Sequence, residues 1–249
     1  MHKPIPVDIS TEPFDSAPRL IVRTTKVFLS SWPWLAAITL TVSVPGKLAV
    51  QGILAAFEIS PESLLSYFVA YATDLVWNAL IAAAVIYGVA VSLRTGRLPA
   101  WRTTLRQGRT LWAMMLWNDF KVEITVLLWS LLLIVPGIIA TLRLILVQPI
   151  VVLDRDTSPD PLSHSRKLTQ GRLWRIALAL LPLIPLGAAH LYAAFRTLKI
   201  SPFVMVPIDS LFTILDQWAT VAALLIYLGV APKPTAVRTP PRSRAKRRE

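Results

Sequence analysis

The sequence predicts an all-α protein: a polytopic helical membrane bundle with about six transmembrane segments and additional interfacial cytoplasmic helices. The composition supports this class, because 54% of the 249 residues are hydrophobic and only 16% are charged. A soluble domain usually has nearer a quarter of its residues charged. The mean hydropathy is +0.56. Apolar runs of about 20 residues recur along the chain, and each is long enough to cross a hydrocarbon core of roughly 30 Å.

Three parts of the chain differ in composition. Residues 1–18 predict a disordered N-terminal tail without a cleaved signal peptide, since no basic stretch leads into a short apolar one. Residues 19–231 predict the membrane-embedded helical domain. Residues 232–249 predict a basic, disordered C-terminal tail, because proline and charge there disfavour a packed core.

The net charge of +12 is concentrated near the C-terminus, where the tail carries seven basic residues against Glu249. No aromatic residues that could stack on bases accompany these arginines and lysines. We therefore expect the tail and the basic loops to lie against anionic phospholipids of the bilayer, and we expect no nucleic-acid partner.

The apolar runs predict six segments along the chain. They are, approximately, Val27–Phe57, Leu64–Leu93, Trp117–Val135, Ile138–Val152, Ile176–Phe195 and Ser210–Ala231. Basic residues cluster after the second and fourth segments and in the tail, whereas Glu58 and Glu62 follow the first. The positive-inside rule therefore predicts a multi-pass protein with both termini in the cytoplasm.

The third and fourth segments allow two arrangements. Asp119, Lys121 and Glu123 are costly at mid-membrane, and only about twelve apolar residues follow them before Pro136, which is short for a span. Either the two segments cross with an outer turn at Pro136 and Gly137, or they form a re-entrant hairpin within the membrane.

Shorter patterns predict local features. The stretch Leu98–Trp112 has one apolar face flanked by arginines, which is typical of a helix lying in the headgroup layer. In Asp160–Gly171, an N-cap aspartate, a proline and a terminal glycine predict a short cytoplasmic helix. Pro182 and Pro185 predict a kink in the fifth segment. A stripe of small residues predicts close helix packing: Ala84, Gly88 and Ser92.

One block carries a resemblance to known proteins: VPGIIATLRLILVQPIVVLDRDTSPDPLSHSRKLTQGRLWR. It resembles the signature of a broad group of bacterial membrane proteins, which includes the membrane domain of glycerophosphoryl diester phosphodiesterases and several uncharacterised six-helix families. The similarity extends over about Arg19–Ala231. Its turn and interfacial motif falls on Pro136, Gly137, Ser165, Arg166, Thr169 and Gly171.

This resemblance implies a six-helix fold in the bacterial cytoplasmic (inner) membrane and leaves the function open. In the phosphodiesterases a separate soluble barrel performs hydrolysis, and no stretch of this chain could supply one. The chain also departs from the pattern near its end, where LGVAPK follows Tyr227 in place of an acidic-Leu-Arg motif.

Polar residues within the apolar segments are the candidate functional residues, because ionisable groups are expensive in a bilayer. The predicted intramembrane cluster is Lys47, Asp74, Asn78, Arg143 and Asp216. The spacing of Tyr71, Asp74 and Asn78 places them on one helix face. We expect Arg143 to pair with Asp74 or Asp216 in the outer half of the bundle.

Two interpretations of this cluster stay open. The polar residues could be structural contacts between helices, or side chains reaching the outer headgroups. Alternatively, they could line a water-filled vestibule that receives an anionic headgroup or a small anion at Arg143 and Lys47.

Sequence motifs for catalysis are absent from the chain. There is no nucleophile elbow, HExxH or phosphate-binding loop, the chain has no cysteine, and its three histidines are scattered. We therefore expect no enzyme activity, metal or cofactor. The sequence favours a non-catalytic membrane protein that binds or organises lipids or a membrane-protein partner. The alternative is a small transporter or channel for an anionic solute or lipid headgroup.

Overall fold

The computed structural model describes residues 16–60, 63–154, 158–197 and 202–231. The predicted disordered tails lie outside these residues, except for the few positions next to the helical domain. The described residues form helices and no strands. In chain order the helices are α1 Ala17–Ser30, α2 Trp32–Ala56, α3 Leu64–Thr95, α4 Trp101–Leu132, α5 Ile134–Leu144, α6 Val147–Leu153, α7 Pro161–Thr169, α8 Leu173–Ala179, α9 Leu183–Thr197 and α10 Pro202–Val230.

Several of these helices are long and apolar enough to cross a membrane. Four such spans lie in the described residues: Trp32–Ala56, Leu64–Thr95, Ile134–Leu153 and Val206–Val230. A fifth is formed if α8 and α9, which meet at a bend of 55°, count as one broken span. The chain is thus a multi-pass helical membrane protein, and the predicted class is confirmed at this level.

The core of the bundle is formed by the middle of α3 and the second half of α10. Residues 81–86 of α3 are almost completely buried, as are residues 221–226 of α10. The α3 helix packs against α2, α4, α6 and α10. Small residues permit this close packing, since Gly108 of α4 lies against Ala84 and Gly88 of α3 lies against the Trp34 ring. The predicted small-residue stripe is therefore a packing surface at these two positions.

The α4 helix is continuous from Trp101 to Leu132 and runs antiparallel to α3. Along it, the Trp112 indole nitrogen donates to the carbonyl of Val76 at 2.8 Å, and Tyr71 donates to Glu123 at 2.8 Å. The stretch Leu98–Trp112 is therefore not a separate helix, and its position in the headgroup layer stays a prediction. Thr104 and Gly108 are buried against α3, so this stretch is the first third of a packed helix.

The turn between the third and fourth predicted segments lies at Leu133, three residues before Pro136. Leu133 has an extended backbone, with φ −165° and ψ 149°. Pro136 and Gly137 instead lie in the first turn of α5, where a missing amide hydrogen removes no helical hydrogen bond. Gly137 packs closely against Ser130 of α4, where a larger residue would collide.

The short helices after α6 agree with their sequence signals. Asp160 accepts hydrogen bonds from the backbone nitrogens of Leu162 and Ser163 and so caps α7. Gly171, two residues after the end of this helix, has a positive φ of 73°. Pro182 lies in the bend between α8 and α9, which confirms the predicted kink, and Pro185 lies in the first turn of α9.

Candidate functional site

A single lysine joins three helices inside the bundle. The Lys47 ammonium of α2 contacts the Asp209 carboxylate of α10, and it lies 3.6 Å from the Asp74 carboxylate of α3. It also donates to the Thr213 hydroxyl at 3.1 Å. Only 11% of the Lys47 side chain is exposed, so these contacts replace most of its hydration. We call Lys47, Asp74, Asp209 and Thr213 the lysine cluster.

A histidine on α9 extends the lysine cluster. The His190 Nε2 atom lies 2.9 Å from the second carboxylate oxygen of Asp209. Its ring stacks on Phe212 of α10, with centroids 4.5 Å apart and planes 6° from parallel. The cluster therefore ties the helix that follows the 55° bend to the centre of the bundle.

A cavity of about 350 Å³ adjoins the lysine cluster between α3, α4, α5, α6 and α10. Asp74 belongs to both features. The cavity walls carry both polar and aliphatic residues. The lining residues are Tyr71, Asp74, Leu75, Asn78, Asp119, Val122, Glu123, Thr141, Leu144, Ile145, Val147, Gln148, Ala219, Thr220 and Ala223.

The polar wall of the cavity is acidic. Asp119, only 8% exposed, accepts two long hydrogen bonds of 3.3 Å from the single amide nitrogen of Gln148. Glu123, one helical turn further along α4, accepts from Tyr71. With Asp74, three carboxylates face the cavity, and no lysine, arginine or histidine is among its lining residues. Lys121 lies instead over the Trp117 ring, 5.2 Å from its centroid.

The structure brings together part of the predicted polar cluster. Lys47 and Asp74 are close enough to form an ion pair. Asp74, Asn78 and Tyr71 all line the cavity, as their shared helix face predicts. Asp216 is exposed and lies on α10 two turns after Asp209.

The structure contradicts the predicted pairing of Arg143 with Asp74 or Asp216. The Arg143 side chain is exposed, and within the described residues it forms no ion pair with Asp74 or Asp216. The reason is the register of α5, which turns Thr141 and Leu144 toward the cavity and Arg143 away from that face. Asp74 pairs instead with Lys47, which also contacts Asp209.

Two residues of the predicted interfacial motif, Ser165 and Thr169, contact the main chain of Arg143. Its carbonyl oxygen, at the break between α5 and α6, accepts a hydrogen bond from the Ser165 hydroxyl at 2.7 Å. The Thr169 hydroxyl approaches the same oxygen at 3.4 Å. Both hydroxyl residues are fully buried, whereas Arg166 between them is exposed. The motif therefore holds the break between α5 and α6 in place. Gln148, near the start of α6, donates its hydrogen bonds to Asp119 just after this break.

Sequence reasoning misses several residues of this site. In sequence, Asp209 stands out only for sharing a face with Asp216, and His190 is one of three scattered histidines. In the sequence, the charges of Asp119 and Glu123 argue against a membrane span over this stretch. Their spacing of four residues, on the helix that follows the Tyr71–Asn78 stripe, is the signal that they share one surface.

The chemistry available here is binding of a positively charged or hydrogen-bond-donating group. No set of three metal-ligating side chains lies together in the part of the chain that the structure describes. The cavity supplies carboxylate, amide and hydroxyl oxygens next to aliphatic walls. Such a mixture of apolar walls and a few directed polar groups is typical of small-molecule sites.

Comparison with protein-family models, with curated proteins and with solved structures finds no match to this chain. The resemblance of residues 135–175 to the membrane domain of glycerophosphoryl diester phosphodiesterases therefore rests on the motif itself and stays a prediction.

Proposed function

We propose that this chain is a non-catalytic integral protein of the bacterial cytoplasmic membrane that binds or organises lipids or a membrane-protein partner. The observation that carries the proposal is the cavity within the bundle, since apolar walls with a few directed polar groups are typical of small-molecule sites. The resemblance to six-helix bacterial membrane families supports the same class.

We also propose six crossings with both termini in the cytoplasm. The apolar spans account for five of them when α8 and α9 are counted as one. The sixth is α4, which is less apolar than the other five because Asp119, Lys121 and Glu123 lie within it. Its antiparallel contacts with α3 support a crossing nonetheless, and its 32 residues extend about 48 Å. Its acidic residues have polar partners, since Asp119 is buried beside Gln148 and Glu123 accepts from the Tyr71 hydroxyl.

The proposed orientation rests on charge. The stretch from Arg94 to Arg109, which runs from the end of α3 into the start of α4, carries five arginines and no acidic residue. The C-terminal tail carries seven basic residues. Both are expected on the cytoplasmic side, where they would attract anionic phospholipids.

Lipid retention tests the proposed function. The full chain would be purified in a mild uncharged detergent, and its bound lipids identified by native mass spectrometry. We expect a lipid or partner to be retained by the unmodified chain and lost from Ala219→Trp, whose indole would fill the cavity. Leu131→Trp is the matched control, because Leu131 is 75% exposed and away from the cavity. Equal retention by both variants would contradict binding in the cavity.

A small transporter or channel is the second candidate. The specific observation in its favour is the link from the bent α8–α9 pair through His190 and Asp209 to Lys47, which could couple helix movement to ligand occupancy. The cavity lining argues for a cationic substrate over the anionic solute or headgroup expected from sequence, since Lys47 is already paired with carboxylates. Solute uptake by proteoliposomes, with a protein-free control, tests it.

A further inference from the structure

The charges around the cavity are not balanced by its own lining residues. Asp74, Asp119 and Glu123 contribute three carboxylates, and the only basic group that contacts any of them within the described residues is Lys47. That ammonium contacts Asp209 more closely than it contacts Asp74. Asp119 and Glu123 accept hydrogen bonds from Gln148 and Tyr71, but both donors are neutral, so Lys47 is the one positive charge in contact with these three carboxylates within the described residues. A further cation in the cavity would offset the remaining negative charge.

The size and lining of the cavity favour an organic cation over a bare metal ion. At about 350 Å³ the cavity falls at the lower end of the range for small-molecule sites, roughly 300–1,000 Å³. Aliphatic residues such as Leu75, Val122 and Val147 form much of its wall. Hard metal ions instead require six or more closely spaced oxygen ligands.

The lysine cluster shows which kind of group the Asp74 carboxylate already pairs with. The group that Asp74 already faces is a primary ammonium on an alkyl chain, the end of Lys47, at 3.6 Å. Asp74 is nevertheless 41% exposed, so part of its carboxylate remains open toward the cavity. An alkylammonium group entering from the cavity would meet the free side of the same carboxylate.

We infer that the cavity binds the ammonium group of an amine-bearing ligand, with Asp74, Asp119 and Glu123 as its counter-charges and the aliphatic wall against its carbon chain. This inference rests on the proposed function, because it names the class of ligand that the proposed binding cavity would take. The ammonium could belong to a small soluble amine or to an aminophospholipid headgroup.

Three six-carbon compounds distinguish the effect of ligand charge on binding from the effect of ligand hydrophobicity. They are n-hexylammonium, which is cationic, hexanoate, which is anionic, and hexanol, which is neutral. Each would be added to the purified full chain in an uncharged detergent, with thermal unfolding followed by tryptophan fluorescence. A ligand that binds only the folded state raises the melting temperature in proportion to its occupancy. We expect hexylammonium to raise it in a saturable way, and hexanoate and hexanol to have little effect. An equal rise with hexanoate would overturn the inference without the need for any variant.

Carboxylate substitutions then locate the binding. Asp119→Asn and Glu123→Gln should each weaken the apparent affinity for hexylammonium by about tenfold, because each removes one contact between charged groups. Glu58→Gln is the matched control, since Glu58 is an exposed carboxylate that does not line the cavity. Unchanged affinity in both cavity variants would overturn the inference.

The two sources of the ammonium are separated in nanodiscs of phosphatidylcholine doped with either phosphatidylethanolamine or phosphatidylglycerol. Enrichment of phosphatidylethanolamine on the protein, lost in Asp119→Asn, would identify a headgroup. Hexylammonium binding without that enrichment would identify a soluble amine. Retention of phosphatidylglycerol or of a partner protein, with no response to hexylammonium, would overturn this inference and leave the proposed function standing. Retention of neither, with no response to hexylammonium, would overturn both.

Discussion

The ammonium of Lys47 contacts the carboxylate of Asp209 and so links α2 directly to α10 across 162 residues of sequence. Asp74 of α3 lies within 3.6 Å of the same ammonium. Three of the helices that are long and apolar enough to span a membrane therefore meet at one ionic contact. Because an unpaired charge is expensive in this environment, the contact constrains the register of all three helices.

Removal of Lys47 should destabilise the bundle. Lys47→Ala leaves Asp209 and Asp74 without their cation, which we expect to lower the free energy of unfolding by about 2–4 kcal/mol. Thermal unfolding in detergent measures the effect.

The double variant Lys47→Ala, Asp209→Asn is the control for the ionic nature of this contact. Replacing both charges should recover part of the loss, because one of the two carboxylates that lose the ammonium is then neutral. A double variant no more stable than Lys47→Ala would show that the contact with Asp209 contributes through packing alone.

Gly88 should tolerate no side chain. A Cβ atom at this position would collide with the Trp34 ring and lie 3.0 Å from Thr104, so Gly88→Ala forces neighbouring groups to shift. We expect a loss of about 1–3 kcal/mol. Gly52→Ala is the matched control on another apolar helix, since no atom lies within 4 Å of the added Cβ. It should leave the melting temperature unchanged or raise it slightly, because alanine favours a helix over glycine. Equal effects of the two substitutions would contradict the packing described here.

The hydroxyl of Ser165 should stabilise the break between α5 and α6. Ser165→Ala removes its 2.7 Å hydrogen bond to the Arg143 carbonyl and should cost about 1–3 kcal/mol. Ser163→Ala, two residues earlier on α7 and half-buried, is the control and should cost far less. A melting temperature that falls as much for Ser163→Ala would mean that α7 is sensitive to alanine at any position.

The sequence predicts the helices of this fold better than it predicts the contacts between them. Apolar runs locate α2, α3 and α10 because lipid requires an uninterrupted span of such residues. The cap of α7 follows from Asp160 and Pro161, whose effects are local. The sequence does not predict that the long α4 helix begins at Trp101. Apolar residues flanked by arginines form the same pattern whether a helix lies on lipid or packs against a neighbouring helix.

The candidate site could be predicted only in part, for a related reason. Lys47 and Asp74 stand out as ionisable residues in apolar runs, but their partner Asp209 is fixed by how α2 and α10 pack. Arg143 stands out equally, yet the register of α5 turns it outward. A one-residue change in helix phase rotates a side chain by about 100°, and hydropathy does not define that phase for a helix that is apolar all round.

The most direct test of the cavity and its charge uses the absence of native cysteine. Thr220→Cys places a thiol on the cavity wall, and Ala222→Cys places one in the packed core of the same helix. The rates of reaction with a cationic and an anionic methanethiosulfonate of similar size would be compared in membranes.

We expect the cationic reagent to modify the thiol at position 220 about tenfold faster than the anionic reagent does, because the carboxylates of the cavity attract it. Hexylammonium should slow that reaction, and the thiol at position 222 should stay unmodified. A thiol at position 220 that is as unreactive as the one at position 222, or that reacts faster with the anionic reagent, would contradict an acidic binding cavity in this bundle.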